Sequence, residues 1–199
     1  MASHEAAEKS ALKPFEIVLY PDPRLLKPSR AITPAEIRSG EAEGLGLAQL
    51  SERMIVTMYD AEGVGLAAPQ VGVGLRLFVA DVSKDKTGAF TIINPVLSEM
   101  HGTVIEEEGC LSIPVVRAKV KRFASLKVSG LNLKGEAVIF DAKELLARVC
   151  QHETDHLAGV LFINKIGMAA KLMIRRALVE LEDDFEQRRR DAVKNKKKI

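Results

Sequence analysis

Apolar residues recur along this chain with two different periods, and the changes of period mark its elements. Leu47, Leu50, Met54 and Met58 repeat at helical spacing and lead to Gly63, which predicts a helix over that stretch. Ile174, Leu178, Leu181 and Phe185 repeat at i, i+4, i+7 and i+11, so Lys171 to Arg190 is expected to form a final helix packed on the body of the protein. Thr33-Pro34-Ala35-Glu36 holds the residues of a capping box with proline at the first helical position, so another helix starts there. Asp141 and Glu144 suggest a cap for a further helix that carries Leu145, Val149, His152 and His156 along one side and stops near Gly159. Strands are expected at Leu75 to Val82, Phe90 to Ile93, Val115 to Val120, Ser125 to Leu133 and Ala137 to Phe140, with Lys134-Gly135 turning the last hairpin. Phe15 to Leu19 reads as a short strand closed by Pro21-Asp22-Pro23. The alternation is that of an α+β protein, with mixed, mainly antiparallel sheets around a central helix and a helix at the C-terminal end.

Composition narrows the function classes. With 199 residues and 47% hydrophobic content, one domain with a real core is the natural expectation. The formal net charge of +2 implies no domain-wide field for nucleic acid. Two cysteines do not make a disulfide framework of the secreted kind. No apolar run approaches the roughly 18 residues of a membrane span, and no signal-peptide core precedes Pro14. Glu5 and Glu8 also argue against an acid-poor transit peptide, so the cytoplasm is expected, although an organellar form with its presequence removed would read the same. Residues 1–13 are expected to be a disordered N-terminal tail, 14–187 a single catalytic domain and 188–199 a basic C-terminal tail. Met54 and Met58 are more naturally core fillers than a binding groove.

The chemistry is concentrated in Gln151-His152-Glu153-Thr154-Asp155-His156. Residues four apart share one face of a helix, so His152 and His156 can present imidazoles to a single metal ion. Glu153 follows the first ligand directly, where a general base for a water at that metal has to be. The spacing of a downstream third histidine is kept as far as Gly159, but Phe162 occupies the ligand position and cannot coordinate. Four side chains remain that suit nitrogen or sulfur ligation: His4, His101, Cys110 and Cys150. His4 sits in the polar tail, and Cys150 lies two residues before His152, pointing away from the shared face as a small buried apolar residue. Cys110, between Gly109 and Pro114, is the favoured candidate, and His101 is its rival.

Gly63-Val64-Gly65-Leu66-Ala67-Ala68-Pro69-Gln70, Glu108-Gly109-Cys110-Leu111-Ser112 and Gln151-His152-Glu153-Thr154-Asp155-His156 resemble, in order, the three motifs of the peptide deformylase family. The likeness extends from about Phe15 to Phe185. The short link after Pro114 and the C-terminal helix resemble the type 1, iron-type branch. The resemblance implies that Cys110, His152 and His156 hold one divalent metal ion, with ferrous iron expected and zinc, nickel or cobalt as substitutes. Metal binding would keep Cys110 deprotonated, in keeping with a reducing compartment. It further implies removal of the formyl group from N-formylmethionyl peptides, releasing formate. Glu153 would act as base and then as acid, while the Gln70 side chain and the Leu111 backbone N–H stabilise the oxyanion, each worth roughly 3–4 kcal/mol. Val64, Gly65, Gly109, Glu106, Arg117, Leu145, Arg148 and Val149 are the residues expected to bind substrate.

Two positions depart from the family pattern. Glu106, four before the metal cysteine, stands where an apolar residue often lines the methionine pocket. Arg148, four before the first metal histidine, stands where the residue can be apolar too, although some family members carry arginine there. Charges beside an apolar pocket are costly unless paired, so an ion pair between them across its rim is expected; the alternative is that both reach out to solvent. Arg188, Arg189, Arg190, Lys194, Lys196, Lys197 and Lys198 make a basic run whose ordinary reading is a solvated end and whose functional reading is contact with ribosomal RNA, as in some family members. No membrane is implied, and a monomer is expected. Two rivals from other classes stand beside this reading: a peptidase for internal bonds, disfavoured by Phe162, and a non-catalytic ribosome-associated module, which would not need Gln70, Cys110, His152, Glu153 and His156 together.

Overall fold

The computed structural model describes residues 12–196. In chain order its elements are α1 (Pro34–Ser39), β1 (Glu41–Ala42), β2 (Leu45–Gly46), α2 (Leu47–Asp60), β3 (Gly65–Ala67), β4 (Leu77–Ala80), β5 (Phe90–His101), β6 (Val104–Cys110), β7 (Ile113–Arg122), β8 (Ser125–Leu131), β9 (Ala137–Lys143), α3 (Glu144–Leu157) and α4 (Met168–Lys196), with short 3-10 turns at Pro23–Leu26, Ala68–Val71 and Phe162–Asn164. The main sheet has five strands in the order β3-β4-β5-β8-β9; β6-β7 and β1-β2 are separate two-stranded hairpins. Each pairing between these strands is antiparallel.

α3 lies at the centre because its apolar side has a sheet to bury against. Ala147, Val149, Cys150 and Leu157 pack with Phe78, Ile92, Leu126 and Val128 from β4, β5 and β8. The stripe Leu47, Leu50, Met54 and Met58 puts α2 on the same sheet, against Leu66, Leu77 and Val79; both methionines are core residues. The β6-β7 hairpin is backed by α4: Val116, Ala118 and Val120 alternate inward along β7 and meet Phe162, Ile174 and Leu181. The capping box of α1 forms as its residues require, with Thr33 N–H donating to Glu36 Oε2 at 2.8 Å and Glu36 N–H donating to Thr33 Oγ1 at 3.3 Å. α3 ends before Gly159, whose φ of +72 provides the left-handed stop.

The sequence reading differs from the structure at several elements. Phe15 to Leu19 is not a strand: Val18 N–H donates to Gln70 O and Tyr20 N–H to Ser112 O, both at 2.8 Å, so the segment staples two separate loops rather than joining one ladder. β6 has no apolar alternation to announce it, since Glu106, Glu107 and Glu108 run consecutively, and it exists because β7 pairs with it from Val104↔Arg122 to Gly109↔Arg117. β4 is confined to Leu77–Ala80, whereas β5 runs on to His101 and β9 to Lys143. Asp141 and Glu144 do not cap α3; Asp141 lies in β9, and the cap position is Lys143, with no side-chain bond. α4 continues as helix through residues 188–196, so the basic run is not a separate coil within the described residues. Most of the N-terminal tail, residues 1–11, and positions 197–199 lie outside the described residues.

The loop between β4 and β5 is folded around one carboxylate. Asp81 accepts from Ser83 N–H at 2.7 Å, Ser83 Oγ–H at 2.6 Å, Gly88 N–H at 3.1 Å and the Tyr59 hydroxyl. Burial pushes its pKa up, but these donors outweigh burial and hold it below the ordinary carboxylate value. A depressed folded-state pKa contributes stability that is complete above the unfolded value and is lost as pH falls through the folded one. Asp81→Asn is therefore expected to cost about 2 kcal/mol at neutral pH in urea unfolding. The gap from the unsubstituted protein should narrow on acidification below the carboxylate range; a gap that does not depend on pH would refute the assignment.

Candidate metal centre

Two elements bring the three ligand candidates together. α3 presents His152 and His156 one turn apart, and the end of β6 delivers Cys110 at a register shift between Gly109 and Cys110. One ligand atom from each of the three lies within 4.8 Å of the others, and Cys110 Sγ is 3.2 Å from His156 Nε2. His101 is exposed at the end of β5 and takes no part in the cluster, and Cys150 is buried behind the site with its thiol pushed up to about 12 by burial. His4 lies outside the described residues.

The donor set fits a metal ion. His152 Nδ1 sits 3.1 Å from Glu108 Oε2, which leaves Nε2 as the nitrogen free to coordinate. Glu108 is in turn gripped by Arg122, whose Nε–H and an Nη–H reach its two carboxylate oxygens at 2.9 and 3.0 Å. A further Nη–H of Arg122 goes to Asp155, which also meets Lys165 at 3.0 Å. Burial pushes the Glu108 carboxyl up, but His152 and Arg122 outweigh it and hold it at about 2. Phe162, at the position where a histidine would have been a ligand, stacks on His152 with ring centres 6.2 Å apart and so props the imidazole from behind.

Glu153 is 4% exposed, and its Oε2 has no hydrogen-bond partner among the described residues. Burial pushes its pKa up to about 7, the range in which a carboxylate can both take and return a proton. Gly65 makes room for it: a Cβ there would stand 2.4 Å from Glu153 Oε1 and 2.9 Å from Val149 Cγ1. Gln70 is aimed by its own turn, since Ala67 N–H donates to its Oε1 at 2.8 Å and leaves Nε2 near Ser112 Oγ at 3.2 Å and Cys110 Sγ at 3.5 Å.

A cleft of about 530 Å³ opens onto this group. Val64, Gly65, Gln70, Gly109, Cys110, Leu111, Arg117, Leu145, Arg148, Val149, His152 and Glu153 line it, while His156 is buried beneath. Glu106 does not line it. That residue is exposed on β6, and no ion pair links it to Arg148 among the described residues. The expected rim pair is thus corrected: at the edge of a two-stranded hairpin, Glu106 keeps its hydration and has no desolvation cost to offset. Glu107 lines the cleft instead and lies 3.9 Å from Arg117.

The sequence reading missed Arg122 and Asp155 as parts of the site. The signal for Arg122 was the strand period, because Val116, Ala118 and Val120 point inward and the next inward position in β7 is Arg122.

A thiol and two imidazoles converging beside a buried carboxylate in a cleft define a metal-dependent hydrolase. Comparison with known proteins agrees. Residues 14–171 match the family described as Polypeptide deformylase. A peptide deformylase of Acidobacterium capsulatum is 40% identical over 170 residues, covering 83% of this chain and 94% of that protein. One from Desulfitobacterium hafniense is 48% identical over 119 residues, 60% of this chain and 77% of the other. Among solved structures, a peptide deformylase of Legionella pneumophila superposes with a TM-score of 0.75 at 37% identity, over 89% of this chain and 98% of that one. The chain belongs to the polypeptide deformylase family, enzymes that remove the formyl group from N-formyl peptides.

The buried ion pairs yield a test of how the metal ligand is held. Arg122→Met leaves Glu108 charged and without its main partner, so metal affinity should fall by roughly 10- to 100-fold in chelator competition. Stability should drop by about 3–5 kcal/mol. Unchanged metal retention would show that Glu108 orients His152 unaided.

Proposed function

We propose that the chain deformylates N-formylmethionyl ends of nascent polypeptides with Glu153 as proton carrier and Cys110, His152 and His156 as ligands of ferrous iron. The observation that carries this reading is the convergence of Cys110 Sγ with the two α3 imidazoles, beside a carboxylate whose second oxygen has no partner among the described residues. Cys110, His152 and His156 would hold a divalent ion, which would supply Lewis acidity toward an attacking water and the formyl oxygen. Glu153 Oε takes the proton from the attacking water and returns it to the peptide nitrogen as the C–N bond breaks, so that water and formyl amide become formate and a free amine. The Gln70 Nε2–H and the Leu111 backbone N–H donate to the oxygen on which charge develops. Val64, Gly65, Gly109, Leu145 and Val149 hold the methionyl residue, and Arg117 and Arg148 the polar edge of the cleft. Glu106, outside the cleft, has no role in this assignment.

No described helix is long and apolar enough to cross a membrane. We assign the enzyme to the cytoplasm as a monomer, with residues 14–187 as its catalytic domain. The exposed basic groups of Arg188, Arg189, Arg190 and Lys194 on the end of α4 support contact with ribosomal RNA.

Glu153→Gln keeps the size of the side chain and removes the base. Formate release from a formylmethionyl tripeptide should fall by about 10²- to 10⁴-fold with metal content unchanged. Full activity in that variant would sink the proposed role. For the tail, deletion of residues 191–199 should weaken cosedimentation with ribosomes and flatten its salt dependence, by a log–log slope of about 0.9 for each phosphate no longer neutralised. Identical salt curves with and without the segment would remove it as an anchor.

A further inference from the structure

Arg148 is a half-buried cation in the wall of the cleft with no carboxylate at ion-pair distance among the described residues. The other cleft-lining arginine, Arg117, has Glu107 at 3.9 Å, and Arg122, outside the cleft lining, has Glu108 and Asp155. Glu62 and Glu107 also border the cleft, but neither lies within 4.0 Å of Arg148. The position along α3 is informative. Arg148 stands one helical turn before His152, about 6 Å along the axis, and is flanked by Leu145 and Val149, which line the same wall. A substrate side chain that extends along α3 away from His152 and Glu153 passes Val149 before Arg148 and Leu145.

That order matters chemically. A wholly apolar side chain covering Arg148 would strip water from guanidinium N–H groups and give nothing back. A side chain that is apolar along its stem and ends in an oxygen acceptor would use both parts of the wall. We propose that Arg148 tunes this enzyme to accept formyl peptides whose first residue ends in an oxygen acceptor, methionine sulfoxide being the case that matches a methionine-sized pocket. This inference rests on the deformylase reading and names a substrate class for the same site. The sulfoxide oxygen accepts from the guanidinium and undergoes no change; the reaction remains hydrolysis of the formyl amide.

The test compares kcat/KM for formate release from three peptides that differ in the first residue or the next: formyl-methionine sulfoxide-Ala-Ser, formyl-norleucine-Ala-Ser and formyl-norleucine-Asp-Ser. Each is measured with the iron-loaded protein and with Arg148→Met and Arg148→Lys, whose metal content and melting temperatures are checked first. The expected result is that Arg148→Met lowers the ratio of the sulfoxide to the norleucine-Ala peptide by about tenfold, chiefly through KM, the effect of one charge-assisted hydrogen bond. Arg148→Lys should retain part of the preference. An unchanged ratio in Arg148→Met would overturn the proposal. So would a loss confined to the Asp-containing peptide, which would place the partner of Arg148 on the second residue. Failure of the unsubstituted protein to release formate from any of the three would instead bring down the deformylase reading and this inference with it, a result plainly different from an unchanged ratio.

Discussion

The buried grip of Arg122 on Glu108 is the interaction on which the site depends. It joins the β6-β7 hairpin to α3, the two parts of the chain that carry the ligands, because Glu108 lies two residues before Cys110 and touches His152. A carboxylate in this position has to stay ionised to hold the imidazole, and burial opposes that. The guanidinium resolves the conflict with two parallel hydrogen bonds, and a further N–H anchors Asp155 on the same helix as His152. Buried charges are poor sources of stability, but they tolerate few alternative geometries. That intolerance is useful where a sulfur from one element and two nitrogens from another must converge.

Around this frame the two carboxylates of the site are driven in opposite directions. Glu108, facing Arg122 and His152, is held at about 2, whereas Glu153, buried with one oxygen unpartnered, is pushed up to about 7. The first serves as a fixed negative charge and the second as a group able to exchange a proton near neutrality. Gly65 makes the second possible without strain, since any side chain there would occupy the space of the Glu153 carboxylate. The cleft wall and the Glu153 carboxylate are thus packed against each other, and the cleft has little freedom to reshape without disturbing that carboxylate.

Some of this was legible in residue spacing. Helical periodicity marks His152 and His156 as candidate ligands and Glu153 as a candidate base, and the apolar face that continues their stripe announces that the helix is buried. Cys110 was favoured over His101 by its neighbours Gly109 and Pro114 and by the family motif, and the fold brings Cys110, not His101, to the two histidines. β6 was invisible, since three consecutive glutamates carry no alternation; its existence comes from the complementary edge of β7. Glu106 and Arg148 looked like a pair because each sits four positions before a ligand, yet the hairpin carries one out to solvent and the helix keeps the other in the cleft.

What the chain by itself determined is the inventory of chemistry and the local order of its elements: which residues can ligate, which can carry a proton, where helices begin and where the core stripes run. These follow from short-range geometry, namely the 3.6-residue turn, the two-residue strand repeat and the caps. The tertiary structure decided which distant groups meet. Arg122 became a structural partner of the metal ligands only because β7 lies beside β6, and Phe162 became a support for His152 only because the turn after α3 folds back on it. Long-range contacts of this kind depend on packing and on the cost of leaving charges buried without partners, and neither quantity is written in the spacing of residues along a chain.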